Sequence, residues 1–349
     1  MLEQKNFVKI EEKTLKNLNK YKIVKPKKRI PDVKDKKIVN EIIKFLGSKK
    51  KISNFGGEWE YLNLKKRKNF INALTSININ ELQNIFSNMF QNDASYGIVT
   101  PSFQDVKNLN FFKSQILNDI DTAIEFSNLK NINEINTKKY IGNPFGMKFN
   151  SKIVMPDTPR HYYFAHNLNK LMSSKKSYSI LEIGGGYGGL VRMVANLNKK
   201  ITYYSIDLLE GCLIQYYFLK KVGLNPRLIS NFSDLKKNNI NIIPYKKNSK
   251  LLEKINNCDF VFNSRSFSEM SSKVLKYYLS LINKKFKPKY IYHENSNYLL
   301  FPNSKRHIEI LGKNFNINRK KYKLDKFNIS PFSGGSGRYR EFLYIKKHI

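Results

Sequence analysis

Residues 178–190, Tyr-Ser-Ile-Leu-Glu-Ile-Gly-Gly-Gly-Tyr-Gly-Gly-Leu, hold the strongest chemical pattern in this sequence. An apolar run carrying one acid, Glu182, ends in the cluster Gly184, Gly185, Gly186, Gly188 and Gly189. A helical pattern of Leu190, Val191, Met193, Val194 and Leu197 follows. Strand, glycine turn and helix let backbone N–H groups and a helix N-terminus come close to a ligand, which points to a cofactor and hence to an enzyme. The next apolar run, Ile201-Thr-Tyr-Tyr-Ser-Ile-Asp207, closes on an acid. It falls near the ~20-residue spacing at which a carboxylate accepts two hydrogen bonds from a ribose cis-diol.

Two further groups of residues could act beside such a ligand. Cys258-Asp-Phe-Val-Phe-Asn263-Ser-Arg-Ser-Phe-Ser-Glu269-Met270 reads as a strand that ends in Asn263 and Ser264. The carboxyl ends of strands at a switch point are where α/β sheets bind ligands, so Asn263 and Ser264 are expected at the cofactor. Ser268 and Glu269 fit helix capping as well as catalysis, and both readings stand. His293 and Glu294, in Tyr292-His-Glu-Asn295, follow another strand; His293 is the expected general base, with Glu294 to orient or replace it. Arg160 and His161 either close over the site or belong to an ordinary surface helix, and the second reading is preferred. Arg338 and Arg340, after Gly334-Gly-Ser-Gly337, mark either a hairpin tip or a loop that meets a phosphate or carboxylate.

The elements that must position these groups change character along the chain. Helical periodicity runs through Val39–Leu46, 60–92 and 103–130, interrupted by Gly47-Ser48 and the Lys49–Lys51 run, so 1–145 reads as an α-helical accessory or lid domain. Turn chemistry at Asn143-Pro144 and Gly146 marks a boundary or a flap. Asp157-Thr-Pro159 opens a helix over 160–172. Strands are expected at 178–183, 201–206, 258–263 and 288–293, with helices at 189–198, 209–221 and 269–283. Leu228-Ile229 and Ile240–Pro244 compete for one more strand. Strand-like runs at Tyr322–Ile329 and Arg340–Lys346 form a hairpin. The fold class is α/β: a doubly wound, mostly parallel seven-stranded sheet over 150–349, ending in an antiparallel pair.

Composition narrows the function classes. The chain has 349 residues with a net charge of +36, yet only 10 of its basic residues are Arg. Lys, Asn and Ile are the residues that AT-rich codons encode, and Arg is the better fork for bases and phosphates. The charge therefore speaks against a dedicated nucleic-acid partner, while suiting an anionic substrate or a peripheral membrane contact. No apolar run reaches the ~20 residues of a membrane span, and no signal-peptide block opens the chain, so a cytoplasmic location is expected. Cys212 and Cys258 suggest neither a disulfide framework nor a zinc site. Asp157 with Glu294 or Glu269 could hold a divalent ion, but no spacing demands one and no metal is expected.

Glu182-Ile-Gly184-Gly-Gly186-Tyr-Gly188 resembles the E/D-x-G-x-G-x-G signature of class I S-adenosylmethionine-dependent methyltransferases. That resemblance implies a glycine loop under the cofactor's methionine part and Glu182 in the same site. A dinucleotide remains the competing ligand, because Gly184-Gly-Gly186-Tyr-Gly-Gly189 also contains G-x-G-x-x-G. The preceding acid, the glycine at 188, the mid-chain position and the terminal strand pair favour methyl transfer. With its helical N-terminal portion and its Asn263-to-Met270 block, the chain is similar to a bacterial family of sugar O-methyltransferases. The resemblance implies O-methylation of a sugar hydroxyl in a polysaccharide or glycoside. The alternatives are a methyltransferase of RNA or another small molecule, or a non-catalytic nucleic-acid or partner-binding protein that retains the fold.

Overall fold

The computed structural model describes residues 22–24, 27–47, 58–99, 109–127, 129, 135, 141–149, 152–173, 175–198, 200–245, 250–298, 310–333 and 337–347. The Lys49–Lys51 run and the tip at 334–336 lie outside them. The short strands β1 (Lys22–Val24), β2 (Gly146–Phe149) and β3 (Lys152–Val154) pair antiparallel. The turn-rich segment around Gly146 is therefore partly a strand. A β carbon at Gly146 would stand 2.2 Å from the Val154 carbonyl oxygen, so strand packing explains this glycine.

The large sheet contains β4 (Tyr178–Ile183), β5 (Ile201–Asp207), β6 (Arg227–Leu228), β7 (Ile240–Pro244), β8 (Phe260–Ser264), β9 (Tyr290–Ser296), β10 (Tyr322–Ile329) and β11 (Tyr339–Lys346). Their order is β10-β11-β9-β8-β4-β5-β7-β6. Strands β4 to β9 run parallel, and β10 and β11 close the sheet antiparallel. The seven strands expected become eight because both apolar pieces after residue 224 are strands, the first of only two residues. The order reverses beside β4, which has β5 on one side and β8 on the other. A crevice opens at the carboxyl ends of strands at such a point.

Helices cover both faces. Helices α1 (Val33–Leu46), α2 (Lys68–Ser76), α3 (Ile79–Ser87), α4 (Leu109–Phe126), α5 (Thr158–Leu171), α6 (Gly189–Leu197), α7 (Leu209–Lys221) and α8 (Ser272–Leu281) follow in chain order. Side chains of α1, α2 and α3 share one apolar core with α5, α6, α7 and the sheet face bearing Ile180, Tyr203, Phe262 and Tyr292. Each fully buried aliphatic or aromatic side chain there stabilises the fold by about 1.5–3 kcal/mol. Polar contacts reinforce the seam: Tyr217 Oη donates to Asp35 at 2.5 Å, Tyr216 Oη to Glu41 at 2.6 Å, and Lys221 reaches Asp32 at 2.8 Å. The opposite face, bearing Leu181, Ile206, Val261 and Ile291, is covered by α8 and Phe315. No described helix is long and apolar enough to cross a membrane.

Candidate active site

At the reversal point beside β4 lies a cleft of about 180 Å³. Its first half is the glycine turn between β4 and α6. Gly184 sits at φ +80° and a β carbon there would come within 2.1 Å of Ser266 Oγ, so only glycine lets the turn fold against the end of β8. Gly185 is pressed on Ser205, 2.3 Å from where a β carbon would stand. Gly186 differs: at φ +57°, its β carbon would meet nothing nearer than Ile98 at 3.5 Å. Packing thus accounts for two of these glycines, whereas the third leaves its space to the cleft.

Asp207, at the end of β5, organises this turn. Its Oδ2 accepts from the Gly186 N–H at 2.9 Å and from Gln215 at 3.3 Å, while Oδ1 accepts from the Leu208 N–H at 2.7 Å. Gly211 faces it so closely that a β carbon would lie 2.9 Å from the carboxyl. Burial pushes the Asp207 carboxyl up to about 7. Glu182, buried on β4, accepts from Tyr203 Oη at 2.9 Å and is raised by burial to about 7 as well. Arg67, wholly buried, donates to Asn63 at 3.0 Å and to the Ala94 carbonyl at 2.9 Å, bringing the segment before α2 to the cleft wall. Trp59 closes this wall by donating from Nε1 to Glu269 Oε2 at 3.1 Å.

The second half is assembled from α5 and the ends of β8 and β11. His161 lines the cleft and lies against the start of α6, where a Gly189 β carbon would stand 2.3 Å from its Nδ1. Tyr187 Oη holds that nitrogen at 3.3 Å. Burial, with Arg160 and Arg265 adding repulsion, keeps the His161 ring well below the usual histidine range, so it is neutral at physiological pH. Arg160 and Arg265 line the same wall and share one buried carboxylate, Glu294. Glu294 accepts from Arg265 Nε and Nη2 at 3.2 Å, from Ser264 at 2.7 Å and from Ser330 at 2.5 Å. Burial would push this acid up, but Arg265 and Arg160 outweigh it and hold Glu294 at about 2.

The residues read from the sequence fall into two groups. Glu182, Gly184, Gly185, Gly186, Asp207, Ser264 and Glu269 line the cleft. Gly188, Asn263, His293 and Glu294 do not. Gly188 caps α6. Asn263 is fully buried, donating to the Ile183 carbonyl at 2.7 Å and accepting from Asn295 at 2.8 Å, so it ties the turn from behind instead of meeting a ligand. His293 corrects the expected base. Alternation along β9 turns it to the α8 face, where it stacks on Phe342 with ring centroids 4.5 Å apart. Burial, with Arg319 adding repulsion, holds its ring at about 3. Asn295 Nδ2 lies 3.4 Å from His293 Nδ1, and His293 Nε2 has no partner among the described residues. Glu294, on the other face, does not line the cleft, and its oxygens are taken up by Arg265, Ser264 and Ser330, so it positions the arginines instead of serving as a base.

Sequence reading gave His161 and Arg160 to a surface helix and passed over Trp59 and Tyr339. The available signal was the acid-proline helix start at Asp157, which aims the first turn of α5 at the carboxyl ends of the strands. Arg338 and Arg340 do not line the cleft; their guanidinium groups lie over Tyr339 at 5.1 Å and Phe327 at 5.7 Å. No group of three or more metal-ligating side chains occurs among the described residues.

No family model and no curated protein matches this chain. Solved structures with similar folds include an S-adenosylmethionine-dependent methyltransferase from Aquifex aeolicus, at 16% identity and TM-score 0.36 over 54% of this chain and 92% of that one. The mitomycin 7-O-methyltransferase MmcR follows at 12% and 0.35, over 53% and 57%. The pyocyanin biosynthetic protein PhzM aligns at 11% and 0.38, over 55% and 56%. This chain thus spans little more than half the length of MmcR and PhzM.

Proposed function

We propose that this protein is an S-adenosylmethionine-dependent O-methyltransferase that acts on a sugar hydroxyl. The observation that carries the reading is one cleft in which a glycine turn, braced by Asp207, meets a neutral, fixed histidine. The open space at Gly186 and the acid at the end of β5 fit a ligand with a ribose. Gly184 to Gly186 would lie under its amino-acid part, and Asp207 would meet the ribose hydroxyls. S-adenosylmethionine supplies an electrophilic methyl group.

The protein's own residues would do the remaining work. Phe164, Ser264 and Tyr339 would hold the acceptor, and positioning of this kind can supply ~7–11 kcal/mol of the barrier. A sugar hydroxyl is a poor nucleophile until its proton can leave. His161 Nε2 would take that proton as the new carbon–oxygen bond forms, with Tyr187 holding Nδ1 and so the orientation of the ring. The sugar as acceptor rests on the resemblance carried by the glycine loop and the Asn263-to-Met270 block.

Incubation with methyl-labelled S-adenosylmethionine and separate pools of sugars, glycosides and RNA tests the reading. Label in a sugar methyl ether is expected, reduced about 10²–10⁴-fold by His161→Ala. Label in RNA, or in no acceptor, would overturn it.

A further inference from the structure

We infer that the acceptor carries an anionic group, a phosphate or a carboxylate, which Arg265 and Arg160 take up on the cleft wall built by α5 and the ends of β8 and β11. This deepens the methyltransferase reading and rests on it for the word acceptor. Four observations support it.

First, both guanidinium groups line the cleft, whereas their counter-charges, Glu294 and Asp157, stand behind them and do not. Second, Glu294 occupies only one edge of Arg265: Nε and Nη2 are taken, Nη2 also by the Phe332 carbonyl at 2.8 Å. Nη1 makes no hydrogen bond to a described residue, and Arg160 Nε is buried without a partner among them. A guanidinium N–H left over in the cleft wall is a donor that a ligand's acceptor atom can take up.

Third, Arg265 is held with φ at 65°, a left-handed backbone that costs a non-glycine residue about 1–2 kcal/mol. Its N–H donates to the Glu294 carbonyl at 2.7 Å, so the strained turn is fastened to β9. A glycine or asparagine would ease the strain, yet the position carries the residue best shaped for bidentate contact with phosphate or carboxylate. Fourth, the Arg265 guanidinium lies over the cleft-lining Tyr339, 4.1 Å from the ring centroid, a contact that restrains where its donors stand.

The test uses the full chain saturated with S-adenosylhomocysteine at constant ionic strength, titrated calorimetrically with inorganic phosphate, pyrophosphate and acetate. Saturable binding of at least one is expected, weakened at least tenfold by Arg265→Met and by Arg160→Met. Arg340→Met serves as the outlying control and should leave it unchanged. Arg265→Lys keeps Glu294 paired if the methionine variant does not fold, and it too should weaken binding, because an ammonium cannot offer the second fork. A preference for phosphates or for acetate identifies which anion the acceptor carries. No saturable binding, or binding lost with Arg340 and not with Arg265, would overturn the inference. S-adenosylhomocysteine affinity is read on the same samples: its absence sinks the methyltransferase reading, whereas its presence without anion binding sinks only this one.

Discussion

The cofactor half and the acceptor half of the cleft are built from different kinds of sequence. In the first, neighbours in space are neighbours in the chain: Gly184 to Gly186 form one turn, and Asp207 ends the adjacent strand at hydrogen-bond distance from Gly186. In the second, His161 and Arg160 come from α5, Ser264 and Arg265 from the end of β8, and Tyr339 from β11. Local backbone geometry accounts for the turn itself, although Ser266, Arg67 and Trp59 wall it in from elsewhere in the chain. Only the finished tertiary structure assembles the second, and it spends a buried carboxylate, Glu294, on keeping that half in order.

Substitutions can break the two halves separately. Gly184→Val should have the largest effect, because its β carbon would collide with Ser266 at a left-handed backbone. We expect S-adenosylhomocysteine binding to fall below detection in calorimetry, with a loss of stability of about 3 kcal/mol in denaturant unfolding. His161→Ala should spare cofactor affinity and lower kcat by about 10²–10⁴. Tyr187→Phe should lower kcat by about tenfold, since the imidazole loses the partner that fixes it.

His293→Phe should change kcat least. It bears on the pH dependence of stability instead. The His293 ring stays neutral in the fold down to about 3, whereas it protonates near 6.5 in the unfolded chain. Between those values the unfolded state binds more protons, so wild-type stability falls as pH drops from 6.5 toward 3. The phenylalanine variant should lose that part of the slope in melting curves recorded across this range. A kcat collapse in His293→Phe with a fully active His161→Ala would exchange the roles assigned to the two histidines.

How much of this was legible beforehand follows the same division. Strands at 178–183 and 201–207, helix α7 and the hairpin Tyr322–Ile329 stand almost where apolar periodicity puts them. Leu228-Ile229 and Ile240–Pro244 compete for one strand because a piece of two residues carries no period, and both regions hold strands. His293 misled because the end of β9 was located without its alternation. Tyr290, Tyr292 and Glu294 face α5, so His293 must face α8 with Ile291. His161 was discounted because a histidine on a helix announces no partner; Tyr187, Arg160 and Arg265 give it a role only once α5 is docked.

Calorimetric titration of S-adenosylhomocysteine into wild type and Gly186→Asp tests the central claim most directly. Aspartate is among the residues that enter the left-handed backbone at least cost, and a β carbon here meets nothing nearer than 3.5 Å, so the fold should survive the small strain while the carboxylate fills the cleft beside Asp207. The account predicts saturable binding to the wild type, weakened at least 100-fold in the variant at a little-changed melting temperature. No binding to the wild type, or equal binding to both proteins, would contradict it.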